Sequence, residues 1–387
     1  MAETMNRQLK FLLVSNFDPD PNSGTPGTIL SLGKALESLG HQVGYSWRPK
    51  EPAFFSNPRV HQILELPHRQ LKQVEESLKR NPCDVVIVSQ IYAYKIYEKL
   101  ASRYPETLFL NKTHGWEDRV NRQKKLWDKR PFSLFRYLAK ILTHWTCVRA
   151  LNSCQGLITS TEKGRRFLLE NYRVCESKIL ASPYGLDKDY LTQGLLERRK
   201  DSKPQRMLYV GNYIPIKGSH VLEKYLPEIG KRFPESSITF VVPPADHDKI
   251  RRSYEPSFGK RLNVLCWKSR GELLETYLEH DLLLFPSMFE GFGKVVLEAM
   301  ACGLSIVGFD EGCMHDLGST GEGIFYSPST DMPGFKANLE RCLNDTELVR
   351  KSGRIASGRV ANFTWENTAR KITDFCIRRI DEKVRKR

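Results

Sequence analysis

The chain has 387 residues, a length that suits two domains of roughly 190 residues better than one. Its 40% hydrophobic and 27% charged residues are typical of a globular protein. No apolar run approaches the roughly 20 residues that a membrane-spanning helix needs. The formal net charge of +15 favours an anionic partner, which could be a membrane surface, a polyanionic acceptor or nucleic acid.

The N-terminus and the cysteines bear on the compartment. The first residues, MAETMNRQLKFLLVSNF, contain only a short apolar run and lack the hydrophobic region and cleavage site of a signal peptide. The nine cysteines are scattered and contain no C-x-x-C pair, so free thiols are expected rather than disulfide bonds or a zinc site. These features predict a cytoplasmic protein.

Strands and helices alternate in the first half of the chain. A segment rich in Pro and Gly, residues 17–27, is expected to be irregular, and a helix is expected over 28–39. Thr161 is placed to cap the N-terminus of a helix over 162–171. Buried parallel strands are predicted from apolar runs at 10–16, 83–89, 108–112 and 156–160.

Residues 119–149 have the most unusual composition in the chain. Nine are Lys or Arg, Asp128 is the only acid, and five aromatic residues lie between them. Residues 136–148 fit an amphipathic helix, and such a segment suits docking on anionic lipid. The alternative is a solvated basic surface whose aromatic residues belong to the core. Stacking on nucleic acid would look similar, but no nucleic-acid-binding motif is present and no such partner is expected.

A polar stretch, residues 197–205, lacks apolar side chains and is the best candidate for an interdomain linker. After it the strand-loop-helix pattern restarts, with strands expected at 207–210, 238–242 and 262–267. The restart predicts a second α/β domain. The expected division is an N-terminal domain over 1–190, a C-terminal domain over 203–365 and a final helix over 366–387.

The stretch FPSMFEGFGKVVLEAMACG, residues 285–303, combines the end of a strand, a glycine turn and a helix that begins at Lys294. Free N–H groups at a helix N-terminus suit a diphosphate. Glu290 and Glu298 are poor phosphate ligands but good bidentate acceptors for sugar hydroxyls. The combination suggests a nucleotide sugar as ligand, the alternative being two solvated surface glutamates.

This stretch resembles the E-x7-E signature of the family-four retaining glycosyltransferases, which have the GT-B fold. The resemblance is strong over 262–303 and extends from residue 10 to about 375. It implies an α/β protein with two Rossmann-like domains facing a central cleft, in which the final helix crosses back to the N-terminal, acceptor-binding domain. It also implies that Glu290 contacts the donor sugar and that Glu298 holds the ribose hydroxyls.

The same resemblance assigns other positions. A His after the strand at 108–112 contacts the donor sugar in the family, and His114 stands there. Lys217 matches the Lys of the Gly-Arg-x4-Lys-Gly motif that neutralises the donor diphosphate, whereas Asn212 replaces its Arg. The catalytic candidates are His114, Lys217 and Glu290. The candidate donor-binding residues are Gly24, Thr25, Gly211, Asn212, Lys217, Trp267, Lys268, Arg270, Glu290, Gly291, Phe292, Gly293, Lys294 and Glu298.

Among these, Lys268 and Arg270 are candidates to replace the missing Arg, and Trp267 could stack on the base or belong to the core. The resemblance implies transfer of a hexose unit from a UDP- or GDP-sugar to a hydroxyl acceptor, with retention at the anomeric carbon. A lipid-linked or cell-surface glycan precursor is the expected acceptor. No cofactor is expected, and no metal, because Lys217 and the helix N-terminus supply positive charge and no Asp-x-Asp motif is present.

Two alternatives stay open. Asn212 leaves room for a catalytically weak GT-B protein that binds an anionic lipid or glycan. A sugar-nucleotide epimerase shares the fold, although it needs further carboxylates that the sequence does not identify. The expected location is cytoplasmic, with peripheral contact to the inner face of a membrane through residues 119–149.

Overall fold

The computed structural model describes residues 7–50, 52–89, 94–115, 117–123, 128, 133–193 and 205–385. The linker predicted at 197–205 lies outside this part of the chain except for Gln205, as do several residues of the basic segment 119–149. The chain divides into two compact units. Unit 1 comprises Met1–Arg122, Arg130–Gly185 and Trp365–Arg387, and unit 2 comprises Gln123–Lys129 and Leu186–Thr364.

Unit 1 is built on a six-stranded parallel sheet with the order β2-β1-β3-β4-β5-β6. Its central strands β3 and β4 are buried at every position, as expected when helices cover both faces of a parallel sheet. Its strands are β1 (Lys10–Val14), β2 (Gln42–Ser46), β3 (Val85–Ser89), β4 (Leu108–Lys112), β5 (Gly156–Thr159) and β6 (Ile179–Ala181).

The helices of this part of the chain connect successive strands, and a π-helical turn, His61–Glu65, precedes the third of them. They are α1 (Gly24–Ser38), α2 (Pro58–Val60), α3 (Leu66–Arg80), α4 (Tyr94–Leu100), α5 (Glu117–Gln123), α6 (Leu134–Ser153) and α7 (Glu162–Asn171). The cap predicted at Thr161 is confirmed, because its side-chain oxygen accepts from the N–H of Gly164 at 3.0 Å.

The start of α1 differs from the prediction. The helix begins at Gly24, inside the segment expected to be irregular, and Ser23 takes the N-cap position. Pro26 is tolerated there because the first-turn N–H groups have no partner within a helix and because its fixed φ suits helical geometry. The presence of Pro and Gly therefore marked the first turn of a helix as well as the loop before it.

Unit 2 contains a second six-stranded parallel sheet, with the order β12-β11-β10-β7-β8-β9. Its strands are β7 (Arg206–Val210), β8 (Ser237–Val241), β9 (Leu262–Leu265), β10 (Leu282–Phe285), β11 (Ser305–Phe309) and β12 (Ile324–Ser327). Its helices are α8 (Lys188–Gln193), α9 (Ser219–Arg232), α10 (His247–Phe258), α11 (Arg270–Leu278), α12 (Lys294–Ala301), α13 (Met314–Leu317), α14 (Met332–Asn344) and α15 (Thr346–Val360).

The last helix, α16 (Trp365–Arg385), belongs to unit 1 and packs against α1. Its apolar side is buried through residues such as Ile372, Phe375 and Ile380, while its basic residues lie mainly on the other side. Each unit therefore has its own apolar core around its sheet, with a large cluster in unit 2 centred on β7, β8 and the helices that cover them.

Candidate active site

In unit 2 the loop after β7 and the loop after β10 meet at the carboxyl edge of the sheet. The N–H of Met288 donates to the carbonyl of Ile216 at 2.9 Å. Gly218 has a φ of +81°, and a Cβ atom there would lie 2.0 Å from the carbonyl oxygen of Pro286. Glycine readily adopts the left-handed conformation and leaves room for this close approach. Gly218 therefore allows the two loops to touch.

This contact brings together two of the predicted catalytic residues. The ammonium of Lys217 lies 2.5 Å from Oε2 of Glu290. Both side chains are partly buried, with 29% and 18% of their surfaces exposed. The two residues are 73 positions apart in the sequence, so their ion pair is a product of the fold and forms part of a preorganised charged site.

The turn from Glu290 to Gly293 is fixed on both sides. The carbonyl of Phe292 accepts from the N–H of Cys313 at 2.7 Å, in the turn after β11, and the Phe292 ring is buried. Gly293 adopts a φ of +90° and caps α12, which begins at Lys294 as predicted. Because α12 starts in this turn, its N-terminus, the positive end of the helix dipole, lies at the same sheet edge as Lys217.

Glu298 lies one turn into α12 and is held by two partners. The hydroxyl of Tyr277, on α11, donates to Oε2 of Glu298 at 3.2 Å, and Nζ of Lys294 lies 3.5 Å from Oε1. The whole residue is only 9% exposed. Burial and the neighbouring Glu298 charge raise the pKa of Tyr277 well above its ordinary value, so Tyr277 stays a hydrogen-bond donor to the carboxylate.

The turn after β7 carries Gly211 and Asn212. The N–H of Gly211 donates to the carbonyl of Val241, and the Tyr209 hydroxyl donates to the carbonyl of Asn212 at 2.8 Å. Asn212 is exposed. The position at which the family has Arg therefore opens to solvent in the same loop that carries Lys217.

The three remaining candidates of unit 2 follow β9. Trp267 is 50% exposed, so it is not a core residue and its ring is accessible for stacking. The Arg270 guanidinium contacts Oδ2 of Asp187 at 2.5 Å, which neutralises the charge proposed to replace the missing Arg. Lys268 lines a cavity of about 430 Å³ beside β8 and β9, together with residues such as Arg206, Thr239 and His280.

In unit 1, His114 follows β4 at the carboxyl edge of the sheet. Its Nδ1 lies 2.5 Å from the hydroxyl of Tyr184, and its Nε2 lies 3.4 Å from Oγ of Ser89. Burial and the nearby charge of Lys112 lower the pKa of His114 well below its ordinary value. The imidazole is therefore neutral at physiological pH and held by two hydroxyl groups.

Lys112, the last residue of β4, is a buried lysine. It is 1% exposed, and its Nζ has no hydrogen-bond partner among the residues that the structure describes. It lies 4.4 Å from the ring centroid of Tyr184. Burial lowers the pKa of Lys112 to about 7, since a buried ammonium without a carboxylate nearby is costly.

Other unit 1 residues are arranged differently. Gly24 and Thr25 form the first turn of α1 rather than a loop, and Gly24 is exposed. Asp118, four residues after His114, is buried and engaged by Tyr172 at 2.5 Å, by Arg122 at 3.1 Å and by His144 at 3.2 Å. Burial alone would raise the pKa of Asp118, but these partners lower it overall. Its role in the structure is to connect α5, α6 and the end of α7.

Sequence reasoning missed Lys112, Tyr184 and Tyr277. Lys112 and Tyr184 contact each other across β4 and the segment after β6, and Tyr277 reaches Glu298 from the neighbouring helix. One signal was present for Lys112, since a lysine at the end of a strand with five buried residues breaks an apolar run. No sequence signal identified the partners of His114 and Glu298.

Comparison with known proteins gives the class. Residues 197–359 match the family model described as "Glycosyl transferases group 1". The D-inositol 3-phosphate glycosyltransferase of Corynebacterium jeikeium (strain K411) is 26% identical over 229 residues, 55% of this chain and 55% of that protein. The serotype-specific mannosyltransferase WbdA of Escherichia coli is 25% identical over 54% of this chain and 24% of its own length. The chain thus spans 55% or less of the length of these relatives.

Solved structures give the fold. Sucrose-phosphate synthase from Thermosynechococcus elongatus is similar with a TM-score of 0.74 over 95% of this chain and 98% of that one, at 18% identity. The catalytic domain of starch synthase IV from Arabidopsis thaliana has a TM-score of 0.69 at 14% identity, covering 97% of this chain and all of that one. The expected α/β fold of GT-B type is confirmed. Over part of its length the chain is similar to the group 1 glycosyltransferases.

Proposed function

We propose that the protein transfers a hexose unit from a nucleoside diphosphate sugar, a UDP- or GDP-sugar, to a hydroxyl acceptor with retention at the anomeric carbon. The observation that supports this most is the Lys217–Glu290 pair beside the N-terminus of α12. One edge of unit 2 thus has a cation and a helix N-terminus for a diphosphate, and carboxylates for sugar hydroxyls.

The Lys217–Glu290 pair suggests how the donor would use the site. A diphosphate at the α12 N-terminus carries more negative charge than one carboxylate and would compete with Glu290 for the Lys217 ammonium. We propose that the donor diphosphate takes over Lys217 and that Glu290 is then free to accept from hydroxyls of the transferred sugar. Glu298, held between Lys294 and Tyr277, keeps oxygen lone pairs for the ribose hydroxyls.

Stabilising charge on the leaving diphosphate is the main chemical task of the reaction. Lys217 and the α12 N-terminus supply positive potential for it. We propose that transfer needs no divalent metal for this reason and that the acceptor attacks on the same face that the diphosphate leaves. A covalent sugar adduct on the protein would contradict that route, and inversion in the product, read from its anomeric proton coupling, would contradict retention.

The resemblance, supported by the relatives, suggests the acceptor class. Two of the relatives are named for D-inositol 3-phosphate and for mannosyl transfer. We propose a glycan or lipid-linked precursor as acceptor, and an acceptor panel should therefore include D-inositol 3-phosphate, mannosides and lipid extracts.

The decisive experiment measures release of nucleoside diphosphate from UDP-, GDP- and ADP-sugars, with wild type beside Glu298→Gln. Glu340→Gln is the matched control, because Glu340 is also a partly buried carboxylate of unit 2 paired with a cation, Arg232, at 2.7 Å. Release with one donor that is lost in Glu298→Gln and kept in Glu340→Gln is the expected result.

Two other outcomes would favour the alternatives. Conversion of the donor into an epimeric nucleotide sugar, without transfer, would identify an epimerase. Neither release nor a thermal shift with any donor would indicate a protein that binds a lipid or glycan without catalysis, the possibility that Asn212 raises.

A further inference from the structure

The first three turns of α6 expose their apolar side chains. Six of them are between 41% and 63% exposed, namely Leu134, Phe135, Leu138, Ile141, Leu142 and Trp145. Tyr137 lies among them and is 52% exposed. We refer to these seven residues as the α6 stripe. The spacing from Leu134 to Leu138, Ile141 and Trp145 is i, i+4, i+7 and i+11, which places them along one side of the helix.

The buried residues of α6 lie in its second half, namely Thr143, Thr146, Cys147, Ala150 and Leu151. Thr143 and Thr146 are buried, and their hydroxyls donate to the backbone carbonyls of Ala139 and Leu142 at 2.8 Å each. An ordinary surface helix turns its apolar side inward. The apolar residues of the first three turns of α6 are exposed instead, and an exposed apolar surface of this kind marks an interaction site.

The end of the stripe is fixed to the rest of unit 1. Trp145 packs edge-on against Tyr94 of α4, with ring centroids 5.8 Å apart. The Arg149 guanidinium lies 4.4 Å from the centroid of each of these rings and pairs with Glu98 at 2.7 Å. The π-helical turn packs beside α6, and its Leu64 is 54% exposed as well. The apolar side chains are thus presented on a packed helix.

Charge identifies the kind of partner. Residues 129–161 contain no Asp or Glu, while Lys140 and Arg136 lie within the stripe's own turns. Lys140 is exposed. The chain as a whole has a formal net charge of +15, so a second copy would be repelled at this surface, whereas anionic headgroups would be attracted.

We infer that the α6 stripe docks on a bilayer that contains anionic lipid. The helix would lie in the plane of the interface, with its leucines, isoleucine and phenylalanine among the acyl chains and with Lys140 at the phosphate level. Trp145 and Tyr137 are suited to the headgroup boundary. No helix in the described part of the chain is long and apolar enough to cross a membrane, which agrees with docking from one side.

This inference deepens the proposed function, because docking would bring unit 1 to a surface that displays lipid-linked acceptors. Its test needs no donor, so it can fail or succeed independently of the transfer reaction. The full chain is mixed with vesicles of phosphatidylcholine alone and with vesicles that also contain anionic phosphatidylglycerol, and the bound fraction is measured by flotation.

The test variant is Leu138→Ser/Ile141→Ser, which changes no charge and replaces two exposed side chains. Val384→Ser is the control, because Val384 is 60% exposed on α16 of the same unit. We expect strong binding to anionic vesicles, weak binding to neutral ones, and a loss of about tenfold or more in the double variant only. The far-ultraviolet circular dichroism and the Tm of the variants should match wild type, which would show that lost binding is not caused by unfolding.

Three results would overturn the inference. Unchanged vesicle binding in the double variant would assign the attraction to general positive charge. Concentration-dependent dimerisation in light scattering that the double variant loses, without vesicle binding, would make the stripe an interface between copies. Absence of both vesicle binding and self-association would show that this surface does not dock on a membrane.

Discussion

The carboxyl edges of the two sheets differ in whether their cationic side chains have partners. In unit 2 the cations are paired, Lys217 with Glu290 and Lys294 with Glu298. In unit 1 the corresponding edge buries Lys112 without a hydrogen-bond partner among the described residues, beside a neutral His114. Similar parallel sheets thus support two kinds of site, because the loops after the strands decide which side chains meet.

The difference has a physical meaning. The paired charges at the edge of unit 2 are partly exposed, so an incoming anion could exchange with a carboxylate for its cation. At the edge of unit 1 desolvation disfavours the ammonium of Lys112 instead and lowers its pKa to about 7. We therefore propose that a donor diphosphate would bind at the edge of unit 2, where positive charge is already in place.

The largest effect is expected for Lys217→Met. The variant removes the cation nearest to the proposed leaving diphosphate, and removing one stabilising group of this kind costs about a hundredfold or more in kcat. Lys336→Met is the matched control, because Lys336 belongs to the same unit and pairs with Glu228 at 2.7 Å on the surface. Steady-state nucleoside diphosphate release measures both. Equal losses in the two variants would show that Lys217 acts only through net charge.

The next largest effect is expected for Glu290→Gln, which should weaken sugar transfer but strengthen nucleoside diphosphate binding. Transfer should fall by about tenfold or more, because Glu290 is proposed to hold the donor sugar. Binding of the free nucleoside diphosphate should tighten by about threefold, because Lys217 no longer has a carboxylate partner and exposed or partly exposed ion pairs are worth little. Calorimetry with the nucleoside diphosphate tests the second part, and weaker binding would contradict the proposed exchange of Lys217 between Glu290 and the donor.

How far the sequence predicted this arrangement can be seen at particular residues. The strand, turn and helix around Glu290 were predictable because buried parallel strands are continuous apolar runs and because glycines end them. The resemblance assigned both Lys217 and Glu290 to the donor site, but it did not predict their contact, which depends on Gly218 fitting against Pro286. Tyr277 and Tyr184 were not predictable, since each reaches its partner from an element with no sequence link to the motif.

A second lesson comes from comparing α6 with α16. Both are long basic helices of unit 1 with apolar residues at helical spacing. Periodicity identified the helix at 136–148, although the structure extends it to Leu134–Ser153. It does not say which side faces the protein. In α16 the apolar side is buried against α1, whereas in α6 the apolar stripe faces out, as the exposed fractions of its side chains show.

A smaller effect, on stability, is expected for Lys112→Met. The variant removes a buried amine without a hydrogen-bond partner among the described residues, which should raise the free energy of unfolding near pH 7 by about 1–3 kcal/mol. The pKa of Lys112 is lowered by burial to about 7 from 10.5. Between these values the unfolded chain binds a proton that the folded chain does not, so wild-type stability should rise with pH from about 7 to 10.5.

Urea unfolding at several pH values checks the Lys112 prediction. In Lys112→Met this rise should disappear, whereas Lys99→Met, which removes an exposed lysine of the same unit, should keep it. The lowered pKa of His114 has the same sign: below its ordinary value of 6.5 the unfolded chain gains a proton first, and stability should fall with falling pH in both variants. A lower Tm of Lys112→Met would mean that the amine has a stabilising partner.

The smallest effect is expected for Asn212→Arg, which adds a positive charge to the edge of unit 2 that already carries Lys217. Asn212 is exposed in the loop that carries Lys217, so an arginine can be accommodated without displacing packed side chains. A guanidinium there would donate to phosphate oxygens bidentately. Because it would be exposed, we expect the donor KM to fall by only about threefold to fivefold and to depend more strongly on salt.

The control is Asn263→Arg, which adds the same charge at an exposed position on β9, elsewhere in the unit. If both variants lower the KM equally, the gain comes from the overall field of a basic protein. If only Asn212→Arg does, the loop after β7 lies against the donor diphosphate, and the natural asparagine marks a site that operates with one cation fewer than the family pattern provides.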